Sequence, residues 1–443
     1  MSGWTAEQVA ALAPDPASAS AGRGLAAPAK WVSAGHDAGA VWGECKGSGS
    51  KPYQVAVDAA GPAFRCSCPS RKFPCKHGLG LLFLQAARPD AVAEGARPDW
   101  VAEWIAGRAE KAEKQAAKAA SAPADSAPDV EAKAKRAARR EERVGAGLEE
   151  LERWLEDLVR QGMAALPSRP RSFWETPAAR LVDAQAPGAA RRVRQLAGVA
   201  HSGDGWPERM LERVALLHLL ARAYARLDAL PPPTREDVRA ALGFTLRQED
   251  AAAGEGVRDR WAVLGQRTEE EDHLTVRRTW LWGETTGRPA LLLAFSAAGQ
   301  PMEPAPPPGS VLAAELAFYP GAAPLRAIVR QREGDSRSLA GMPGHGSVGD
   351  ALAAYGTMLA ANPWTERVPL SLASVHLVEA GAGWLVRDAE GAALPVHPAE
   401  GDFCWTLLGA GGGRPLGVFG EWDGDHLVPL SAVANGQFLG GAE

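Results

Sequence analysis

The sequence predicts an α+β protein with a small N-terminal module of β-hairpin and helix, a helical middle region and a β-rich C-terminal domain. Three observations support this fold class. Short strand-like runs followed by a helical run surround a cysteine cluster near the N-terminus, charged amphipathic segments fill the middle, and hairpin-like patterns begin near residue 255. With 443 residues, the chain exceeds the ~250–300 residues at which one core stops growing, so several folded units are expected.

The composition narrows the class of protein. Hydrophobic residues at 46% and charged residues at 23% are typical of globular proteins, and no apolar run approaches the ~20 residues that a membrane helix needs. The first residues lack the basic and apolar regions of an export signal, so we expect a cytoplasmic protein and no membrane partner. The net charge of -5 is mild, so any nucleic-acid surface would have to be local.

Residues 1–107 are expected to form the first unit. Alternating apolar residues and Gly/Pro junctions predict strands and flanking helices there. The predicted elements are a helix at 6–12, strands at 40–44, 53–57 and 63–66, and a helix from residue 76 onward.

The middle of the chain is predicted to be helical. Residues 108–145 form a charged helical linker, with a Ser/Pro/Asp-rich break at 121–129. Residues 146–250 form a helical domain that includes a helix at 209–230. An apolar stripe at helical spacing supports this domain, and its members are Leu148, Leu151, Trp154, Leu155 and Leu158.

Residues 251–443 are expected to form a β-rich mixed domain. Turn residues separate paired apolar runs in three predicted hairpins, at 275–295, 383–396 and 416–430, and a helix is expected at 350–362. The acidic run at 268–273 is typical of an exposed turn. Large aromatic side chains close sheet interiors, so we expect the tryptophans of this region to fill a core, with a ligand groove as the alternative. They include Trp261, Trp280, Trp282, Trp384, Trp405 and Trp422.

The strongest signal is the cysteine cluster. Cys66 and Cys68 are separated by one residue, and so are Cys75 and His77. Three thiolates and one imidazole satisfy tetrahedral Zn²⁺, and residues at i and i+2 of a strand leave the same face. Four protein ligands leave no open position for water, so we expect one closed, structural zinc; the alternative is a cluster of buried thiols with a surface histidine.

The spacing C-x-C followed by C-x-H resembles the SWIM-type zinc finger of bacterial proteins, over about the first 107 residues. The resemblance implies binding of DNA or proteins. It also implies protein partners, because similar bacterial proteins are encoded with MoxR-type AAA+ ATPases and von Willebrand A-type proteins. An adaptor that recruits protein partners is therefore our first hypothesis.

A sequence-tolerant DNA or RNA binder is the alternative. Five basic residues and no acidic residue lie between Phe64 and Arg88, and four of them are candidate phosphate contacts: Arg65, Arg71, Lys72 and Lys76. Phe73 is a candidate for base stacking. The competing interpretation is that these are ordinary solvated charges. Phosphate-loop, nucleophile-elbow and H-E-x-x-H motifs are absent, so we expect no enzyme, with an unfamiliar active site in the β-rich part as a third hypothesis.

Overall fold

The computed structural model confirms the α+β class, with a small N-terminal module of strands and helices, a helical middle and a β-rich C-terminal part. It describes residues 4–440 apart from 11, 14–15, 48–50, 59–62, 71, 73, 121–126, 253, 272–273, 298–301, 303–304 and 382. The predicted domain boundaries stay predictions. Within the described residues, no helix combines the length and apolar character needed to cross a membrane.

The N-terminal unit is a five-stranded sheet covered on both faces. Its elements are α1 (Ala6–Ala10), α2 (Pro16–Arg23), β1 (Trp31–His36), β2 (Ala40–Cys45), β3 (Tyr53–Asp58), β4 (Ala63–Cys66), α3 (Lys76–Ala87), β5 (Ala93–Glu94) and α4 (Asp99–Ala120). The strand order is β4-β3-β2-β1-β5. Leu79 and Leu82 of α3 pack with Val55 of β3 on one face, and Val101 of α4 packs with Trp42 of β2 on the other. This packing fixes the start of α3 beside the β3–β4 hairpin.

The middle region is helical. Its helices are α5 (Ala127–Gln161), α6 (Arg171–Asp183), α7 (Pro187–Val199), α8 (Trp206–Ala225), α9 (Pro232–Leu242) and α10 (Gln248–Ala252). Leu148, Leu151, Leu155 and Leu158 of the predicted apolar stripe are buried in the bundle core, and Trp154 packs against that core. The stripe therefore identifies the buried face of α5. The predicted break at 121–129 lies mostly outside the described residues, and residues 127–129 belong to α5.

The first β-rich part is a closed five-stranded barrel. Its strands are β6 (Gly256–Glu271), β7 (Leu274–Gly283), β8 (Pro289–Ala297), β9 (Ser310–Phe318) and β10 (Arg326–Ser338). Strand β6 pairs with β7 and β9, and β8 closes in parallel on β10. This Greek-key order is that of the OB-fold, which binds ligands on its second and third strands. Here part of that face is covered, because Trp280 and Trp282 of β7 pack against Phe419 and Val433, whereas Phe295 of β8 is exposed.

The residues that cover the barrel belong to a six-stranded sheet with the order β13-β12-β11-β14-β15-β16. Its elements are α11 (Val348–Ala361), β11 (Val368–Ala380), β12 (Gly383–Arg387), β13 (Ala393–Pro395), α12 (Gly401–Gly411), β14 (Leu416–Trp422), β15 (Leu427–Ala434) and β16 (Gln437–Gly440). All three predicted hairpins are present, as β7–β8, β12–β13 and β14–β15.

Two side chains of the β-rich part differ from the expectation. Trp405 is 54% exposed on α12 and meets Trp384 edge-on, so the prediction of a core position is wrong for this tryptophan. Glu269 lies in β6 and accepts hydrogen bonds from Arg278 and Arg367, so it does not belong to an exposed turn. Residues 272–273 of that predicted turn lie outside the described residues.

The connection between α11 and β11 joins the bundle, the barrel and the six-stranded sheet. Trp364 enters the bundle core and donates from Nε1 to the carbonyl oxygen of Leu216 at 3.2 Å. Arg367 donates to Glu269 of the barrel and to Glu421 of the sheet, at 3.1 and 3.2 Å. This segment therefore fixes three parts of the chain against one another.

Candidate metal centre

The structure brings Cys66, Cys68, Cys75 and His77 together. One ligand atom from each lies within 4.8 Å of all the others, and this is the one cluster of three or more metal-ligating side chains within the described residues. The Nδ1 atom of His77 lies 3.8 Å from Sγ of Cys66 and 4.0 Å from Sγ of Cys75. Tetrahedral zinc with Zn–S bonds of ~2.3 Å places its ligand atoms roughly 3.5–3.8 Å apart. The donor set and its spacing therefore fit one zinc ion.

Two local structures position the ligands. Cys66 is the last residue of β4, paired with Val55, and the amide of Ser67 donates to Gln54 and extends the hairpin by one hydrogen bond. The chain then leaves the sheet and carries Cys68 to the site. Cys75 precedes the first residue of α3 with an extended backbone, and its carbonyl accepts from the amide of Leu79. The metal site thus connects a hairpin end to a helix start, as the sequence predicted.

The site is half-buried against the unit. Cys75 and His77 are only 4% and 6% exposed, whereas Cys66 and Cys68 are partly accessible. A close approach between α3 and β4 holds this arrangement, because a Cβ atom at Gly78 would lie 2.7 Å from the ring of Phe64. Any side chain at position 78 would push the helix start, and with it His77, away from the hairpin.

Electrostatics favour a cation at this position. The Cys66 thiol donates to Cys75 and holds the pKa of Cys75 at about 4, and burial only partly opposes this shift. The same contact, together with burial, raises the pKa of Cys66, and burial raises that of Cys68. The N-terminus of α3 adds a positive dipole end beside the Cys75 thiolate. Only a bound cation would let all three sulfurs ionise together, so zinc binding releases protons here.

Four protein donors fill a tetrahedral coordination shell, so zinc at this site acts as a structural cross-link. The two other cysteines lie outside the cluster. Cys45 is buried at the end of β2 with Sγ directed to the carbonyl oxygen of Lys46, and burial raises its pKa. Cys404 is buried in α12, where burial raises its pKa to about 11. Both belong to hydrophobic cores, Cys45 to that of the N-terminal unit and Cys404 to that of the six-stranded sheet.

The candidate phosphate contacts are dispersed. Arg65 is exposed and donates from Nη1 to the carbonyl oxygen of Trp100 at 3.0 Å, so part of its guanidinium binds within the chain. Lys72 and Lys76 are exposed beside the ligands, and the amide of Lys72 donates to Ser70 in a tight turn. Arg71 lies outside the described residues, as does Phe73.

The four metal donors and their positions define a zinc-finger protein, in which the metal connects the end of a hairpin to the start of a helix. Residues 53–85 match the family model of the SWIM zinc finger, and residues 139–242 match that of the SWIM-associated four-helix bundle domain. The chain therefore carries a SWIM-type zinc finger and its associated bundle, and the resemblance seen in the ligand spacing is confirmed. No curated protein and no solved structure matches the chain at a significant level.

The bundle match falls on a region to which the sequence analysis assigned only a helical fold. It begins within α5 and ends at Leu242, the last residue of α9. The apolar stripe of α5 carried the fold signal, but amphipathic periodicity is shared by many bundles and does not identify one. The two matches together support zinc binding and a role in protein or nucleic-acid interaction.

Proposed function

We propose that this chain is a non-enzymatic zinc-binding interaction protein, an adaptor that recruits protein partners through its finger. One observation carries the proposal: four donors converge on a closed site, and exposed residues lie beside it, among them Ser70, Lys72 and Lys76. A structural metal holds these neighbours in place and leaves no coordination position for a substrate. The described residues between and beside the ligand pairs are the proposed recognition surface.

The partner class follows from the resemblance to bacterial SWIM proteins. We propose a MoxR-type AAA+ ATPase and a von Willebrand A-type protein as partners, with the finger or the bundle recruiting them. The bundle, barrel and sheet support this role, because Trp364 and Arg367 join them into a scaffold. A fixed scaffold lowers the ordering cost of binding.

Nucleic-acid binding is the second candidate, favoured by the exposed ammonium groups of Lys72 and Lys76 beside the finger. Two observations weigh against it. Arg65 is engaged with α4, and part of the ligand face of the OB-like barrel is covered by the chain's own sheet. Few side chains are therefore available to contact phosphates, and we favour protein partners.

Binding measured with the full chain separates the two candidates. Purified protein is mixed with the ATPase and the von Willebrand A-type protein of the same organism, and in parallel with single-stranded and duplex DNA at increasing salt. An adaptor forms a complex with one of the proteins that is lost when Cys68→Ser removes the metal. A DNA complex whose affinity falls steeply as the salt concentration rises, with no protein complex, would favour the second candidate.

Charge reversal at the finger provides the matched comparison. Lys72→Glu with Lys76→Glu should abolish salt-sensitive DNA retention if phosphates bind there, and zinc content should stay unchanged. Arg387→Glu with Arg414→Glu makes the same charge change at two exposed positions of the C-terminal part. Equal loss from both double variants would mean that only net charge matters and that the finger is not the binding surface.

A further inference from the structure

A large cavity lies where the helical bundle, the barrel and the six-stranded sheet meet. Its volume is about 890 Å³, within the range of ~300–1,000 Å³ typical of small-molecule sites. Helices α7 and α8 form one wall, β6 and β7 another, and the segment 363–367 with β14 closes the rest. The cavity lies in a different part of the chain from the metal centre.

The bundle wall of the cavity is basic. Arg191 makes a two-point contact with Glu366, at 2.6 and 2.9 Å, and Arg192 reaches the same carboxylate at 3.0 Å. Arg192 also donates to the carbonyl oxygen of Trp364 at 2.9 Å, and its side chain is only 13% exposed. One carboxylate is thus shared by two guanidiniums.

Arg213 adds a third guanidinium to this wall. It projects from α8 and is half-buried, and in the described part of the protein it forms no hydrogen bond or close ion pair with a side chain, although its charge acts on Glu366. Burial lowers the pKa of Arg192, and the charges of Arg191 and Arg213 lower it further against the opposing effect of Glu366. The wall therefore carries more positive charge than its own carboxylate neutralises.

The other walls contain five acidic groups, three of which accept hydrogen bonds, and two further guanidiniums, those of Arg267 and Arg278. Glu269 and Glu421 accept from Arg367, and Asp423 accepts from two backbone amides of its turn. Glu270 and Glu400 line the cavity as well. Leu196 and Leu217 add an apolar surface next to the basic wall. A pocket with an apolar surface and convergent guanidiniums suits an organic anion.

We propose that this cavity binds a small, multiply charged organic anion, a phosphate- or carboxylate-bearing molecule, with Arg213 as its main ligand contact. The unpaired guanidinium offers two parallel N–H donors to an oxyanion, and Arg191 and Arg192 supply supporting positive charge. Because the cavity is built from three parts of the chain, an occupant also holds those parts together.

The test uses the full-length, zinc-loaded protein and two probes, inorganic pyrophosphate and citrate. Thermal melting and isothermal titration are recorded for the native chain, for Arg213→Gln and for Arg226→Gln. Arg226 follows the last residue of α8 and is exposed, so it is a matched control at the other end of the same helix. Without a probe, the three proteins should melt at similar temperatures, because the attraction of Arg213 to Glu366 is opposed by its repulsion from Arg192.

If the cavity binds such an anion, one pyrophosphate or citrate should bind per chain in a saturable way. The affinity should be at least about tenfold lower in Arg213→Gln and unchanged in Arg226→Gln. Preference for one probe identifies the phosphate or the carboxylate class. Saturable binding of neither probe, or equal binding by Arg213→Gln, overturns the proposal. Zinc content is measured after each titration, and removal of zinc by the probe would affect all three proteins equally. A negative result here leaves the adaptor proposal unaffected.

Discussion

The imidazole of His77 lies against the ring of Tyr53, with the ring centroids 4.8 Å apart and the planes inclined by 42°. Tyr53 begins β3 and pairs with Cys45 of β2, so its backbone belongs to the hydrogen-bonded sheet rather than to the metal loop. The contact therefore connects a metal-ligating side chain to the rigid part of the unit. The ring limits the orientations that the imidazole adopts and directs Nδ1 to the sulfurs.

Replacing this aromatic support should weaken zinc binding without removing a ligand. Tyr53→Leu loses an aromatic contact of about 0.5–1.5 kcal/mol, which corresponds to a zinc affinity up to about tenfold lower. Tyr53→Phe keeps the ring and should bind zinc like the native chain. Competition with a chromophoric chelator measures the affinity, and the Co²⁺ absorption spectrum reports the ligand geometry. Native affinity and an unchanged spectrum in Tyr53→Leu would show that the ring does not position His77.

Loss of one thiolate should lower zinc affinity more than loss of the Tyr53 ring, and the structural effect should be confined to the surroundings of the metal site. Cys68→Ser leaves three donors, so zinc per chain should fall well below one after dialysis against a mild chelator. Hydrogen exchange should accelerate around the hairpin end and the start of α3, while the bundle and the β-rich part keep native protection. Cys404→Ala serves as the control, because Cys404 is buried in α12 outside the cluster. Full zinc retention by Cys68→Ser would exclude Cys68 from the coordination shell.

The elements that the sequence predicted are those whose signals are local. Turn residues flank β7–β8, β12–β13 and β14–β15, so each hairpin could be read from a short window. Strand β1 was not predicted from the sequence, although its first residue, Trp31, is buried. A short strand that depends on its neighbour β2 gives little periodic signal of its own.

The two candidate sites also differ in whether their residues lie close together in the sequence. The metal ligands fall within a dozen residues, so their spacing alone predicted that they meet. The anion cavity joins Arg191, Arg213 and Glu366 from segments far apart in the chain. No sequence window contains that arrangement, and the only local sign was an arginine-rich helix, which is more often a solvated face. Tertiary packing decides such sites.

Within the connection between the bundle and the β-rich part, substitution of Trp364 should lower the free energy of unfolding most. It is 8% exposed within the bundle core and donates to Leu216, so Trp364→Ala should cost about 3–5 kcal/mol. Trp364→Phe keeps most of the apolar contact and should lose less. Urea unfolding followed by circular dichroism measures the change, and limited proteolysis tests whether the bundle separates from the sheet. A loss below 1 kcal/mol in Trp364→Ala, roughly that of a surface substitution, would mean that the tryptophan does not join the two parts.

Glu366 should make this connection sensitive to acid. Burial raises the pKa of its carboxyl, but the hydrogen bond from Arg191 and the charges of Arg192 and Arg213 outweigh burial, and the net pKa is lowered. A carboxyl with a lowered folded-state pKa contributes stability above its ordinary value of ~4.3, and this contribution is lost as the pH falls through the folded value. At pH 7, Glu366→Gln should therefore destabilise the protein by about 1–3 kcal/mol, because Arg191 and Arg192 lose their shared counter-charge.

The difference between the native chain and Glu366→Gln should shrink when urea unfolding is repeated at pH values falling below the ordinary ~4.3, and it should vanish only below the lowered folded-state pKa, where the carboxyl is protonated in both the folded and the unfolded state. Glu390→Gln, at an exposed turn between β12 and β13, makes the same chemical change and should leave stability unaltered at both pH values. A difference that stays constant from pH 7 to acid would mean that the side chain stabilises the protein through its shape and not through its charge, and the ion pairs to α7 would then contribute nothing measurable.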